Sequence, residues 1–530
     1  MTPTVSYLPF DKTGHAGRLV VDYLNGNPKL AGLHHGLPSY QSLNEAVERR
    51  QLHPVKRQIL ADTLAEQYAK AGINTPELQA QIQRLKQENT FTVTTGQQTG
   101  IFLGPAYTFI KILNTIKLSE QLNAHCPDNH YIPVFWMATE DHDFEEIRHY
   151  SFLGKSYTWE TNQQGPVGRF STRGISALAR QMRMEAHREP ALQALFDLFE
   201  ASYSDTDLAT ATRKVVHQLF GHYGLLILDA DDHRLKSSFA GIMAKDISEG
   251  NSFRLVSKQA EKLKENYSVQ VNGRPVNFFW MGQGARTRIE GDGNQWHTHE
   301  PNRKWTIETL KEELSNTPEH FSPNVVMRPL YQEFILPNIA YIGGGAEVAY
   351  WLELKEVFDF YQVPYPILLM RNSFTLIDRT NSYRIENYLG GLEELFSPVD
   401  TLIRKVFERK FNIKEGQNNR LELLAAFFKT LQAEISPADT PTQASLAAMH
   451  RRWEHELNRY NQKIVRNQKK QEQQLLDGIK SLHGMVYPSG ILQERTCGLA
   501  DLFSINGGNL IPAVHQAIQP LEPSMVIARM

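Results

Sequence analysis

The sequence predicts an α/β core followed by a long helical arm. The core rests on short apolar runs of five to eight residues, closed by glycine, proline or acidic residues, that alternate with segments of helical period; strands interleaved with helices build an α/β domain. The arm rests on the stretch from Thr442 to Tyr487, which has no proline. In it Trp453, Leu457, Tyr460, Ile464, Asn467 and Gln471 follow a four-three-four-three-four spacing, the seam of a coiled coil.

The elements follow in order. From Gln41 to Gln87, Leu43, Ala46, Val47, Leu60, Leu64 and Tyr68 recur at helical spacing, a helical lead-in. Phe91–Thr95 is β-branched and stops at Gly96, and Ile110–Asn123 has helical period: strand, glycine-rich loop, helix. Tyr131–Ala138 is a second strand that runs into Glu140, Asp141, Asp143, Glu145 and Glu146. Leu225–Ala230 and Pro366–Met370 are continuous apolar runs of the kind buried on both faces. Less regular stretches between about 153 and 328, with a hairpin expected at Asn272-Gly273, read as β-rich insertions. The expected domains are a core over 1–390, a helical coiled-coil domain over 391–484, and a tail over 485–530 that packs back on the core. Two of the six seam positions are polar, the pattern of a paired or dimeric coiled coil rather than a lone helix. Arg451, Arg452, Lys463, Arg466, Lys469 and Lys470 form either a solvated helix face or a binding patch.

Composition narrows the function. In 530 residues, 41% hydrophobic and 22% charged, 56 basic and 58 acidic side chains leave a net charge of −2. Disorder and collagen repeats are excluded, and no global field draws the chain to nucleic acid or an anionic membrane. Cys126 and Cys497 are too few for a disulfide framework or a four-thiolate metal site, and fit a reducing compartment. The first residues lack a basic and an apolar signal region, and no stretch approaches the roughly 18 apolar residues of a membrane span. The expectation is a cytoplasmic protein acting on small molecules.

Standard phosphate loops are absent. Gly154-Lys155-Ser156 would need a glycine where His149 stands, and Gly282, Gly284 and Gly343–Gly345 miss the dinucleotide spacing. Thr94–Lys111 is more informative, because it places Gly96, Gly100, Gly104, Gln97 and Gln98 where a strand hands over to a helix, with Tyr107 and Lys111 one turn apart. Such a loop is either a tight structural turn or a ligand cradle. Glu140, Asp141, His142 and Asp143 at a strand end suit proton transfer, amine orientation or Mg²⁺; an acidic helix start is the alternative. No zinc site is expected there, since His142 and His149 lack helical pair spacing and no thiolate is near. The glycine triplet before Glu347 and Tyr350 either holds a substrate or caps a helix. Arg371 and Ser373 after a strand, with Gln493, Glu494 and Arg495 in the tail, could meet phosphate or ordinary acidic neighbours.

TGQQTGIFLGPAYT, EDHDFEEI, IGGGAEVAYW and YPSGILQER, in that order on this length of chain, together resemble the bacillithiol biosynthesis cysteine-adding family, BshC. The resemblance covers nearly the whole sequence. It implies a Rossmann-like core similar to class I nucleotidyltransferases, interrupted by connecting-peptide insertions and followed by a dimerising coiled-coil domain. It also implies a ligase that adds L-cysteine to glucosaminyl-malate in the last step of bacillithiol biosynthesis. Amide formation from a carboxylate is uphill in water, so the cysteine carboxylate needs activation, here by ATP or ADP with Mg²⁺. On that reading Asp141, His142, Asp143 and Lys111 are catalytic. Gly96, Gln97, Gln98, Gly104, Tyr107, Gly344, Glu347 and Tyr350 bind substrate, and Arg371, Ser373, Gln493 and Arg495 bind nucleotide. No protein-bound metal centre is assigned. The alternatives are a non-catalytic nucleotide-binding dimer, or an aminoacyl or nucleotidyl transferase acting on another amine. Neither cysteine has a catalytic part in this scheme.

Overall fold

A computed structural model describes residues 4–186, 189–282 and 284–529, with the side chains of 413–415 and 468–469, Lys469 among them, outside the described set. The chain divides into two compact units, one of residues 1–376 with 493–528, the other of residues 377–492 with 529–530.

The first unit is built on five parallel strands. β1 (Thr90–Gln97) leads through a tight loop to helix α1 (Tyr107–His125) and back to β2 (His130–Met137). Further along come β3 (Leu226–Asp229), helix α2 (His233–Glu249), helix α3 (Met327–Ile335), β4 (Asn338–Gly343), helix α4 (Gly345–Leu352) and β5 (Ile367–Met370). Their order across the sheet is β3-β2-β1-β4-β5, all pairs parallel. This is the doubly wound order, in which the chain reverses direction between β1 and β4.

Burial on both faces explains the composition of the strands. Val93, Ile339, Ile342, Ile367 and Leu369 share one core cluster with Leu118 and Leu122 of α1. The threonines of β1 are buried too, and their hydroxyls find partners inside the sheet: Thr92 and Thr94 donate to Asn338 Oδ1 (3.2 and 2.8 Å), and Thr95 donates to the Ile342 carbonyl (2.7 Å). A buried hydroxyl without such a bond would cost about 1–3 kcal/mol. In register, Gln97 stands beside Met137, Met137 beside Asp229, and Gly343 beside Met370, so the carboxyl ends of the strands meet along one edge of the sheet.

The region between 153 and 328 is not one β-rich insertion. Helices occupy Ile175–Glu185, Pro190–Ser202, Leu208–Phe220 and Asn251–Lys264, and the core strand β3 lies inside the span. Their apolar faces, with Leu192, Phe196 and Phe199 fully buried, follow a helical period that the intervening turns obscure in the sequence. Apart from β3, the β-structure among the described residues there lies in small antiparallel sheets, among them Phe278–Gly282 with Ala285–Arg288 and Phe321–Pro323. Asn272-Gly273 makes no hairpin, because no strand flanks it; the chain turns between Gly282 and Ala285, where Gly284 has φ +73°.

In the second unit, α5 (Val399–Lys410), α6 (Ile413–Ala433), α7 (Thr440–Gln471) and α8 (Gln473–Val486) follow one another. Leu402, Ile403, Val406 and Phe407 of α5 pack with Leu475 and Ile479 of α8. The proline-free stretch is thus two helices, parted at Glu472 (φ −106°, ψ 49°). α6 and α7 lie against each other: Phe428 stacks on His450, and Arg420 donates to Asn461 Oδ1 (3.0 Å). The expected seam is partly in this contact: Trp453 stacks on Phe427 and meets Phe428 edge-on, and Leu457 and Ile464 are half-buried. Trp453 and Tyr460 are 51% and 56% exposed, and Asn467 and Gln471 are exposed as well.

Candidate active site

At the carboxyl edge of the sheet, over the β1–β4 reversal, lies a cleft of about 700 Å³. That is where an open parallel sheet binds its ligands, because loops after neighbouring strands diverge there. Each strand sends residues into it: Gly96, Gln97 and Gln98 from β1, Ala138–Asp141 after β2, Ala230 after β3, Gly344–Glu347 after β4, and Arg371 after β5.

Lys111 and Glu347 join the two sides of the reversal. The Lys111 ammonium, buried in α1, donates to the Gly96 carbonyl (2.6 Å) and Gln97 Oε1 (3.0 Å) and meets Glu347 Oε2 at 2.5 Å. Glu347 also accepts from the Gly344 N–H (2.8 Å) and the Tyr341 hydroxyl (2.7 Å). Burial pulls the Lys111 ammonium below its ordinary range against the Glu347 charge. Burial pushes Glu347 the other way, but Lys111 and the two donors outweigh it and hold the carboxyl below its usual value. An ammonium has three protons, and all three are engaged here. Lys111 therefore braces the cleft floor rather than offering a proton to a substrate.

Asp141 is the anionic centre of the β2 loop. It accepts from Gln98 Nε2 (2.8 Å) and the His142 N–H (2.7 Å), with Arg286 Nη1 at 3.8 Å. Burial works to raise its carboxyl, yet the His142 side chain first, then Gln98, Arg286 and the His142 N–H, hold it far below the usual carboxylate range. Gln98 spans two acids, since its amide also donates to Glu146 (2.8 Å). Glu140 behaves oppositely: buried beside Asp231 and paired with Lys236, it is raised, by burial first.

Of the residues expected from sequence, Gly96, Gln97, Gln98, Tyr107, Lys111, Asp141, Gly344, Glu347, Tyr350, Arg371 and Arg495 line the cleft together. Others do not. Gly104 (φ +63°) closes a tight turn against Gly100, where a Cβ would come within 3.2 Å of the Gly104 Cα, so these two glycines serve the turn. Asp143 caps the helix Phe144–Ile147 by accepting from the Glu146 N–H. His142 is exposed at the rim, its Nδ1 3.0 Å from Arg286 Nη1. The same Nδ1 lies 3.5 Å from Asp141 Oδ1, so the ring stands between Arg286 and Asp141. Ser373 lies in a buried strand, and Gln493 grips the backbone of Leu376 from both sides (2.8 and 3.0 Å). Arg371 is held by Glu494 in a buried bidentate pair (2.7 and 2.8 Å), yet its Nε has no hydrogen-bond partner and lies beside Gly344.

The sequence reading missed most of the cations. Arg328 on α3 donates to the Tyr350 hydroxyl (3.0 Å) and Gln332 (3.0 Å). Arg286, 8% exposed, stacks over Phe279 at 3.9 Å. Arg274 and Arg288 stand exposed at the rim. With Lys111, Arg371 and Arg495 they make seven cations, against four carboxylates, Glu140, Asp141, Glu146 and Glu347. No motif marks them, because they come from insertions distant in the chain; the alternation of Arg286 and Arg288 in one short strand is the one signal available.

The two cysteines stay apart from this chemistry. Neither lines the cleft, and burial pushes the Cys497 thiol up to about 12, far from a thiolate at neutral pH.

A doubly wound parallel sheet with a cation-rich cleft at its reversal defines a Rossmann-like protein. Comparison with known proteins makes this specific. Residues 4–372 match the model of the N-terminal Rossmann-like domain of bacillithiol biosynthesis BshC, and residues 374–530 match its C-terminal coiled-coil domain; the chain belongs to the BshC family. Relatives named "Putative cysteine ligase BshC" include one from Flavobacterium psychrophilum, 35% identical over 98% of this chain and 99% of its own. Another, from Flavobacterium johnsoniae, is 34% identical over 97% and 98%. Among solved structures, a Campylobacter jejuni chain described as a "putative arginyl t-RNA synthetase" covers 82% of this chain and 92% of its own at 9% identity. Its TM-score is 0.23, too low to carry an argument.

Proposed function

We propose that this protein joins the carboxyl of L-cysteine to the amine of glucosaminyl-malate, forming an amide in the last step of bacillithiol biosynthesis. The observation that carries the reading is the match to cysteine-ligase relatives over nearly the full length of both chains. The cleft supports it: a malyl group is dianionic, and the exposed Arg274, Arg288 and Arg495 at the rim suit carboxylates or phosphates.

A nucleotide fits the same chemistry. Its phosphates would meet Arg274, Arg288 and Arg495, with the unpartnered Arg371 Nε–H beside Gly344 as an inner donor. When bound it would supply activation of the cysteine carboxyl. Protein-bound Mg²⁺ fits poorly, because Asp141, Glu146 and Glu140 are engaged by Gln98, the His142 N–H and Lys236. No step is assigned to it.

The chain's own residues divide the rest. Asp141, held ionised, orients the substrate ammonium. Glu140 is the carboxyl in the cleft that burial raises, and so the one suited to take a proton from that amine. Tyr107 and the Gly344 loop face the acyl carbon's oxygen. The second unit carries Trp453 and Tyr460 exposed on α7, and on this reading they mediate a homodimer. A cytoplasmic setting belongs to the same reading.

The test is incubation of purified protein with ATP, L-cysteine and glucosaminyl-malate, followed by mass spectrometry for the amide and for ADP or AMP. AMP would identify an acyl adenylate, ADP an acyl phosphate. Absence of amide with folded protein and either nucleotide would overturn the reading.

A further inference from the structure

A second cluster of chemistry-bearing side chains lies outside the cleft's lining, on a three-stranded antiparallel ribbon in which Trp296–Thr298 is the central strand between Glu290–Gly291 and Arg303–Trp305. Side chains alternate along a strand. Trp296 and Thr298 are buried, Trp296 donating to the Ile247 carbonyl (3.1 Å) and Thr298 to the Pro301 carbonyl (2.5 Å). The alternation turns His297 outward, and His299 follows two residues on. His297 is in direct register with Glu290 on the neighbouring strand. The connecting turn is tied by Asp292, whose Oδ1 accepts from the N–H groups of Asn294 (2.9 Å) and Gln295 (3.0 Å).

We propose that Glu290, His297 and His299 bind one zinc ion. One ligand atom from each lies within 4.8 Å of the other two, and His299 Nε2 is 3.2 Å from Glu290 Oε2. Zinc holds nitrogen and oxygen ligands at roughly 2.0–2.2 Å, which sets neighbouring ligand atoms roughly 3.3 Å apart in a tetrahedron. Small rotations of side chains at the surface close the difference, while the anchored strands keep their Cα positions. Two imidazoles and a carboxylate suit zinc; calcium and magnesium prefer all-oxygen sets. Three protein ligands leave the fourth position to water or an exogenous ligand. The ribbon continues from Arg288 at the cleft rim, so the ion would sit beside the cleft rather than in it.

The alternative is a surface ion pair between His299 and Glu290 with no metal affinity. To separate them, full-length protein with any affinity tag removed is stripped with chelator, desalted, and titrated with Zn²⁺ against a chromophoric chelator. A Co²⁺ spectrum is taken in parallel. One zinc per chain is expected, with tetrahedral cobalt bands and no thiolate charge-transfer band. His297→Ala and Glu290→Gln should each weaken binding by more than about 100-fold, beyond what loss of a supporting contact costs. Lys304→Ala, on the facing strand but outside the donor set, should leave it intact. These side chains are at the surface, so unchanged melting in chelator will show that the variants fold. Absence of stoichiometric zinc, affinity unchanged in His297→Ala, or a thiolate band would overturn the site. None of these outcomes bears on amide formation.

Discussion

Lys111 and Glu347 show how one contact can organise a site without entering its chemistry. Lys111→Met would leave Glu347 in the cleft floor without its cation, and removing one partner of a buried pair costs about 3–5 kcal/mol. The Glu347 side chain is a quarter exposed, which places the expected loss near 3 kcal/mol in urea unfolding. The double variant Lys111→Met/Glu347→Gln should lose less than the sum of the two single changes; strict additivity would deny the coupling. Asp141 makes a pH-dependent contribution. Its carboxyl is held below the ordinary value in the folded state, so its stabilisation is complete above about pH 4, the unfolded value, and fades as the pH falls further. Asp141→Asn should therefore melt with a shallower acid limb than the parent between pH 5 and 3. An identical limb would mean that Asp141 is not so held.

At the scale of elements, the short helix Gln493–Thr496 is the clamp. Glu494 takes both Arg371 nitrogens and the Phe374 N–H (3.0 Å), while Gln493 takes both backbone groups of Leu376. Glu494→Gln should destabilise the first unit by several kcal/mol, because the Arg371 charge is then buried unpaired. It should also disturb anion binding at Arg371 Nε, which a calorimetric titration with nucleotide would register. The α6–α7 pair makes a different prediction. Trp453 stacks on Phe427 within the pair, whereas Tyr460 is 56% exposed, so Tyr460→Glu alone should keep helicity while, if the proposed homodimer forms through this face, light scattering shows it falling to monomer. A dimer that survived this change would place the contact elsewhere.

For the whole molecule, charge is the telling property. A chain of net charge −2 concentrates seven cations against four carboxylates around one cleft. An anionic substrate should accordingly bind more weakly as ionic strength rises from 0.05 to 0.5 M, since the Debye length falls from about 14 to about 4 Å. Arg274→Ala and Arg288→Ala should raise KM several-fold with kcat nearly unchanged, as exposed rim charges do when they bind ground and transition states alike. A fall in kcat alone would move those residues into the chemistry.

What the amino-acid sequence determined by itself was the periodic and the local. Four of the five core strands were legible, β1 as a β-branched run and β2, β3 and β5 as apolar runs, while β4 (Asn338–Gly343) was not read as a strand; the loops after β1, β2 and β4 were legible as glycine, amide and acid clusters, because strand ends and turns are written in contiguous residues. The coiled-coil segment was legible as a helix, but the break at Glu472 and the exposure of Trp453 were not, since a heptad spacing does not say which face finds a partner. Tertiary structure alone decided that Lys111 is fully engaged, that Asp143 caps a helix, that Gln493 holds backbone, and that Arg274, Arg286, Arg288 and Arg328 converge on the cleft. The physical reason is separation along the chain. A side chain's role is set by what stands within hydrogen-bonding distance of it, and Lys111 and Glu347, or Arg371 and Glu494, become neighbours only when the sheet brings their strand ends together.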